Sequence, residues 1–151
     1  IVAILNGTSN FILSQMSSNG APYQSALAEA QAAGYAEADP TNDVEGVDAA
    51  YKLAILSTLS FRERVKDTDV YRERIKRLTA SDFLYASQLG YAIKLLAIAG
   101  RVDGTVQVRV HPAFVPADVM IAKVDGVLKK EGEEGEGEKR EEVRASLYLT
   151  L

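Results

Sequence analysis

Apolar residues in this chain change their spacing several times, and each change marks an element. Residues 1–5, I-V-A-I-L, form a short unbroken apolar run that reads as a buried strand. Asn6-Gly7-Thr8 then turns the chain, and Thr8 or Ser9 is expected to cap a helix whose apolar positions Phe11, Ile12 and Met16 fall at helical spacing before Asn19-Gly20 ends it. Pro22 opens a second helix through Tyr23, Ala26, Leu27, Ala30 and Ala33, with Gly34 as its stop. A third helix is predicted from about 44 to 60, capped by Asp43, and a fourth after Thr79, where Asp82 three residues on makes the Asp variant of a capping box ahead of Phe83, Ala86 and Leu89.

The period then shortens to two. Residues 91–100 and 105–114 flank Val102-Asp103-Gly104 and read as two strands joined at an Asp-Gly turn. Val106, Val108 and Val110 point one way, while Gln107, Arg109 and His111 point the other, so His111 reads as structural; Lys94 fits either face. Between the third and fourth helices, residues 62–77 alternate in charge and read as a solvated connector without a functional role. Residues 129–142 are Gly/Glu-rich with no apolar side chain to offset the entropy of ordering, and are expected to be a flexible linker; in residues 143–151, Leu147, Leu149 and Leu151 alternate as in a returning strand. The pattern predicts an α+β fold, with a mostly antiparallel or mixed β-sheet and about four helices packed on one face.

Composition narrows the chemistry. With 151 residues, 47% of them hydrophobic, the chain suffices for one core. It has no cysteine and only one histidine, which excludes disulfides, thiolate metal sites and multi-histidine zinc sites. A net charge of −4 without a basic stripe argues against nucleic acid as a partner. No run approaches the roughly 18 apolar residues needed to span a bilayer. A cysteine-free chain of this kind is expected in the cytoplasm.

Candidate chemistry concentrates in residues 34–52, G-Y-A-E-A-D-P-T-N-D-V-E-G-V-D-A-A-Y-K. Glu37, Asp39, Asp43 and Glu45 lie around a loop broken by Pro40, and Asp48 and Lys52 follow four residues apart, about 40° from each other on one helix face. Continuing that stripe gives Ile55 and Leu59, so the pair is expected to point with large apolar residues and to place a buried or cleft-facing ammonium beside a carboxylate. A calcium loop is excluded, because the glycine required at its sixth position is replaced and Pro40 breaks the ligand spacing. The Gly7 turn is a second candidate, since helix-start amides can hold an anion, although an ordinary capped turn explains the same residues.

Three segments, I-L-N-G-T-S-N-F-I-L at 4–13, residues 34–56, and L-G-Y-A-I-K-L-L-A at 89–97, resemble homoserine dehydrogenase. The resemblance covers residues 1–128 as a catalytic domain. It implies NAD(P)-dependent interconversion of L-aspartate 4-semialdehyde and L-homoserine, on the route to threonine, methionine and isoleucine. It also implies Lys52 as the proton donor to the aldehyde oxygen, Asp48 as the carboxylate that orients it, Glu37 and Asp43 as the groups holding the substrate's amino end, and Tyr35, Gly7 and Thr8 as pocket lining. The family's nucleotide-binding domain is expected ahead of residue 1, and no G-x-G-x-x-G follows a strand in these residues. Where that family returns to its nucleotide domain, this chain has the linker at 129–142, and 143–151 is expected to resume the same domain. The chain therefore reads as a truncated or engineered substrate-binding half, without cofactor or metal of its own and inactive alone. The rival expectation is a non-catalytic module that dimerises through its sheet.

Overall fold

The computed structural model describes residues 1–126, which form one four-stranded mixed sheet with its long helices on one face. The centre is a hairpin of β3 (Tyr91–Val102) and β4 (Thr105–Pro116), in register from Tyr91 opposite Pro116 to Val102 opposite Thr105. Its two-residue turn has Asp103 at φ 49° and Gly104 at φ 81°, the left-handed pair whose twist matches that of the flanking strands. β1 (Val2–Ala3) lies antiparallel along β3, Val2 opposite Ile98, and the amino terminus donates to the Ala99 carbonyl at 2.7 Å.

The outer edge of β4 corrects the reading of residues 62–77. That charged run contains β2 (Tyr71–Arg72), paired in parallel with Arg109 and Val110, and it buries Val70 and Ile75. Two apolar residues anchor it, too few to show as a period against so many charges. The strand order is β1-β3-β4-β2, which makes the sheet mixed.

Helices α1 (Gly7–Asn19), α2 (Tyr23–Ala32), α4 (Val47–Phe61) and α5 (Ala80–Gln88) supply the predicted layer, and α3 (Thr41–Val44) adds one turn. Ile93, Leu95, Ala97, Val108 and Val110 face this layer and pack with Ile12, Leu13, Met16, Leu53 and Phe83. Each such fully buried aliphatic side chain contributes about 1.5–3 kcal/mol relative to exposure. The Thr79 box forms as expected, with Asp82 accepting from the Thr79 amide at 2.7 Å.

The opposite face of the sheet is partly covered as well. Leu96 and Val115 form a smaller core there with Ile4, Ala122 and Val124, under the 3₁₀ turn Met120–Lys123. Lys94, which the alternation left on either face, belongs to this side and is buried: its Nζ donates to the Val124 carbonyl at 2.6 Å and to Asp125 Oδ1 at 2.9 Å. The α1 residue Asn10 donates to the carbonyls of Val124 and Gly126, tying the same segment to the helix. The expected linker at 129–142 and strand at 143–151 lie outside the described residues.

Candidate active site

Three pieces of chain meet where β1 gives way to α1. Asn6, between them, has extended backbone and is the N-cap of α1: its Oδ1 accepts from the Ser9 amide at 2.7 Å. The cap is therefore Asn6 and not Thr8 or Ser9, whose hydroxyls bind the acidic loop instead. Thr8 donates to the Tyr35 carbonyl at 2.6 Å and Ser9 to the Asp43 carbonyl at 2.8 Å. The Tyr35 ring packs on Phe11 with centroids 4.9 Å apart. These bonds hold the 35–46 loop against the start of α1.

The loop in turn places Asp43. It does not cap the long helix as expected but lies inside α3; α4 starts later, at Val47, after Gly46 with φ 73°. Gly46 is buried, and a Cβ there would sit 3.4 Å from Val110 Cγ1. A compact left-handed residue lets the chain reverse between two helices, which the pattern of apolar positions could not indicate.

Around Asn6 the charged groups converge. Its Nδ2 donates to Asp43 Oδ1 at 2.7 Å and to Asp48 Oδ2 at 2.9 Å. The same Asp48 oxygen accepts from Lys52 Nζ at 2.7 Å, and Lys52 Nζ also donates to the Leu5 carbonyl at 3.1 Å. Burial pushes the Asp43 carboxyl above its ordinary value; the Asn6 hydrogen bond pulls it down, Asp48 raises it, Lys52 lowers it and Glu37 raises it. Glu37 itself is exposed. Of the residues singled out from sequence, Asp43, Asp48 and Lys52 share one network, Gly7 and Thr8 start the helix beside it, Tyr35 is bonded to Thr8, and Glu37 is coupled to Asp43 by charge alone.

Of the two forms expected of this ammonium, buried or cleft-facing, burial fails. Lys52 is not buried, its side chain being 45% exposed, and Ile55 and Leu59 on its stripe are 62% and 71% exposed. Apolar residues surround much of α4, so periodicity did not pick the inward face, which is Ala49, Ala50, Leu53, Ala54 and Ser57. The start of α1 is likewise no anion cradle, because Asn6 already takes the Ser9 amide and two carboxylates stand beside it. Asn6 is the residue that sequence reasoning missed, and the signal was present: an Asn before Gly-Thr at a strand-to-helix junction is a preferred N-cap.

Among the described residues, no group of three or more His, Asp or Glu side chains is placed to hold a metal ion. A cavity of about 340 Å³ lies between β4 residues 106–108 and residues 63–69. None of its lining residues belongs to the Asn6 network, and it brings no lysine to a carboxylate, so the network is the better candidate for chemistry.

A family model described as homoserine dehydrogenase matches residues 1–131, a range that takes in every member of this network. The chain belongs to the homoserine dehydrogenase family. The homoserine dehydrogenases of Pseudomonas aeruginosa and Synechocystis are 50% and 52% identical to it, over 85% and 84% of this chain but 30% of each relative. A crystal structure of the Thiobacillus denitrificans homoserine dehydrogenase superposes with TM-score 0.81 at 52% identity, covering 83% of this chain and 29% of that one. A hyperthermophilic archaeal homoserine dehydrogenase mutant in complex with NADPH is more distant, with TM-score 0.62 at 28% identity over 83% of this chain and 34% of that one. The chain thus spans about 30% of the length of the curated relatives it matches.

Proposed function

We propose that this chain is the substrate-binding and proton-transferring part of a homoserine dehydrogenase, acting on L-homoserine and L-aspartate 4-semialdehyde, in the aspartate route to threonine and methionine. The carrying observation is the half-exposed Lys52 ammonium, held from behind by Asp48 and the Leu5 carbonyl and open on its other side. Hydride addition to an aldehyde leaves an oxyanion, and an ammionium at its oxygen neutralises and protonates it. Asp48 orients Lys52. Asp43 and Glu37 provide negative charge for the substrate's ammonium group, and Gly7, Thr8 and Tyr35 form the wall beside them.

A nicotinamide cofactor, NAD or NADP, would supply the hydride, and the described residues do not fit a dinucleotide. The strand-to-helix turn at Asn6-Gly7-Thr8 has one glycine, its helix start is capped by Asn6, and Asp43 and Asp48 would repel a pyrophosphate. The cofactor site is assigned to a part of the enzyme outside the described residues, and turnover to the intact enzyme. Titration of L-homoserine into the purified chain, followed by NMR chemical-shift mapping, is expected to perturb residues 34–52, with weaker perturbation in Lys52→Ala and Glu37→Ala. No perturbation at high millimolar ligand would overturn the reading for the isolated chain.

A second reading, self-association of two copies through the sheet, draws on the open edge of β4, where β2 pairs only with Arg109 and Val110. Sedimentation equilibrium separates it: a monomer across the micromolar range would remove it.

A further inference from the structure

Asn6 does more than cap a helix. Asn, Asp, Ser and Thr all serve at an N-cap, because each offers an oxygen to the first free amides. Only asparagine also carries two N–H groups, and here both are used, one on Asp43 and one on Asp48, while its oxygen takes the Ser9 amide. The orientation of the carboxamide is fixed by these three bonds together. Turning it over would set its oxygen against two carboxylates and its N–H groups against the Ser9 N–H. Asn6 is only 5% exposed, so water is poorly placed to replace any of the three bonds.

We infer that Asn6 is the positioning residue of this site: its carboxamide holds the Asp43 and Asp48 carboxylates side by side and keeps Asp48 Oδ2 turned to Lys52. Two carboxylates this close repel each other, and Asp43 is further opposed by its burial and by the Glu37 charge. Of the two carboxylates, Lys52 bonds only Asp48 directly. Among the described residues, the doubly donating amide is therefore the one neutral side chain that bonds both carboxylates at once. Its donors are strengthened because the Ser9 amide at the positive end of α1 polarises the carboxamide through its oxygen. A continuous run of hydrogen bonds links the α1 backbone through Asn6 and Asp48 to the Lys52 ammonium, so the helix start fixes where that ammonium stands. This role rests on the proposed function only for what the positioned ammonium does, since the geometry exists without substrate.

The test compares Asn6→Ser with the parent chain. Serine keeps the cap and removes both donors without adding charge. The thermal midpoint is expected to fall, since two part-buried hydrogen bonds are lost, while the chain still folds through its kept cap. In carboxyl ¹³C titrations of the ligand-free chain, the Asp43 midpoint is expected to rise, and L-homoserine affinity is expected to fall roughly tenfold or more, as for lost charge-assisted hydrogen bonds. An Asp43 midpoint unchanged from the parent would overturn the inference. Should Asn6→Ser fail to fold, Asn6→Asp keeps the cap while replacing the donors with a third carboxylate. There a still larger rise supports the role, and an unchanged Asp43 overturns it. Binding and titration separate the two readings: no L-homoserine binding by a parent chain whose carboxyls depend on Asn6 refutes the functional reading alone, whereas normal binding with Asn6-independent carboxyls refutes the positioning role alone.

Discussion

Two lysines in this chain have nearly the same partners and opposite surroundings. Lys52 donates to one carboxylate and one backbone carbonyl, Asp48 at 2.7 Å and Leu5 at 3.1 Å. Lys94 does the same, with Asp125 at 2.9 Å and Val124 at 2.6 Å. The Lys52 side chain is 45% exposed and that of Lys94 is 4% exposed. Bond lengths do not distinguish them; access does. Lys94 is sealed beneath the segment it binds, and its hydrogen bonds fasten residues 124–126 to the sheet. Lys52 stands at the junction of β1, α1 and α4 with one side open, where a ligand oxygen can reach it. An exposed ion pair contributes little to stability, whereas a buried ammonium is costly to leave unpaired and its loss leaves a void. The same chemistry thus serves attachment in one place and, in the proposed function, proton transfer in the other.

Substitution should separate the two roles, and the largest effect is expected at the sealed lysine. Lys94→Ala is expected to lose about 2–4 kcal/mol of unfolding free energy in urea denaturation, from the void and the lost hydrogen bonds together. A loss under about 1 kcal/mol would mean that the two lysines do not differ as described. Asn10→Ala, which removes one of the two α1 attachments of the same segment, the other being Ser14, is expected to cost about 1–3 kcal/mol by the same measurement. If Asn10→Ala were neutral, Lys94 and Ser14 would suffice to hold residues 124–126.

Lys52→Ala is expected to cost under about 1 kcal/mol of stability while weakening the L-homoserine response in NMR titration. A large loss of stability would place Lys52 with Lys94 as a structural residue. The smallest effect is the pH dependence that Asp43 confers. Its carboxyl is raised above the ordinary value of 3.8, so the folded chain binds this proton more tightly than the unfolded chain. Its contribution to stability is fully present below that ordinary value and is lost as pH rises through the raised one. The parent's stability relative to Asp43→Asn should therefore decline with rising pH over the carboxylate range. A flat or rising difference, read from urea midpoints at several pH values, would contradict the raised value.

Local rules were enough for much of this fold. The Asp-Gly hairpin, the Thr79–Asp82 box, the Gly20 and Gly34 stops and the alternation of Val106, Val108 and Val110 each depend on residues within a few positions of one another, so the amino-acid order determined them. The spacing of Asp48 and Lys52 likewise put the two on one helix face before any tertiary contact was known. What it left open was which face of α4 is inward, because apolar residues flank the pair on nearly every side. Packing of Ala49, Leu53 and Ser57 against the rest of the core decided that, and turned Lys52, Ile55 and Leu59 outward. The parallel pairing of β2, the burial of Lys94 and the meeting of Asn6 with Asp43 and Asp48 were also tertiary decisions. Each joins residues some 30 to 40 positions apart, Asn6 to Asp43 by 37 and Lys94 to Val124 by 30, and one-dimensional periodicity carries no information about such distances.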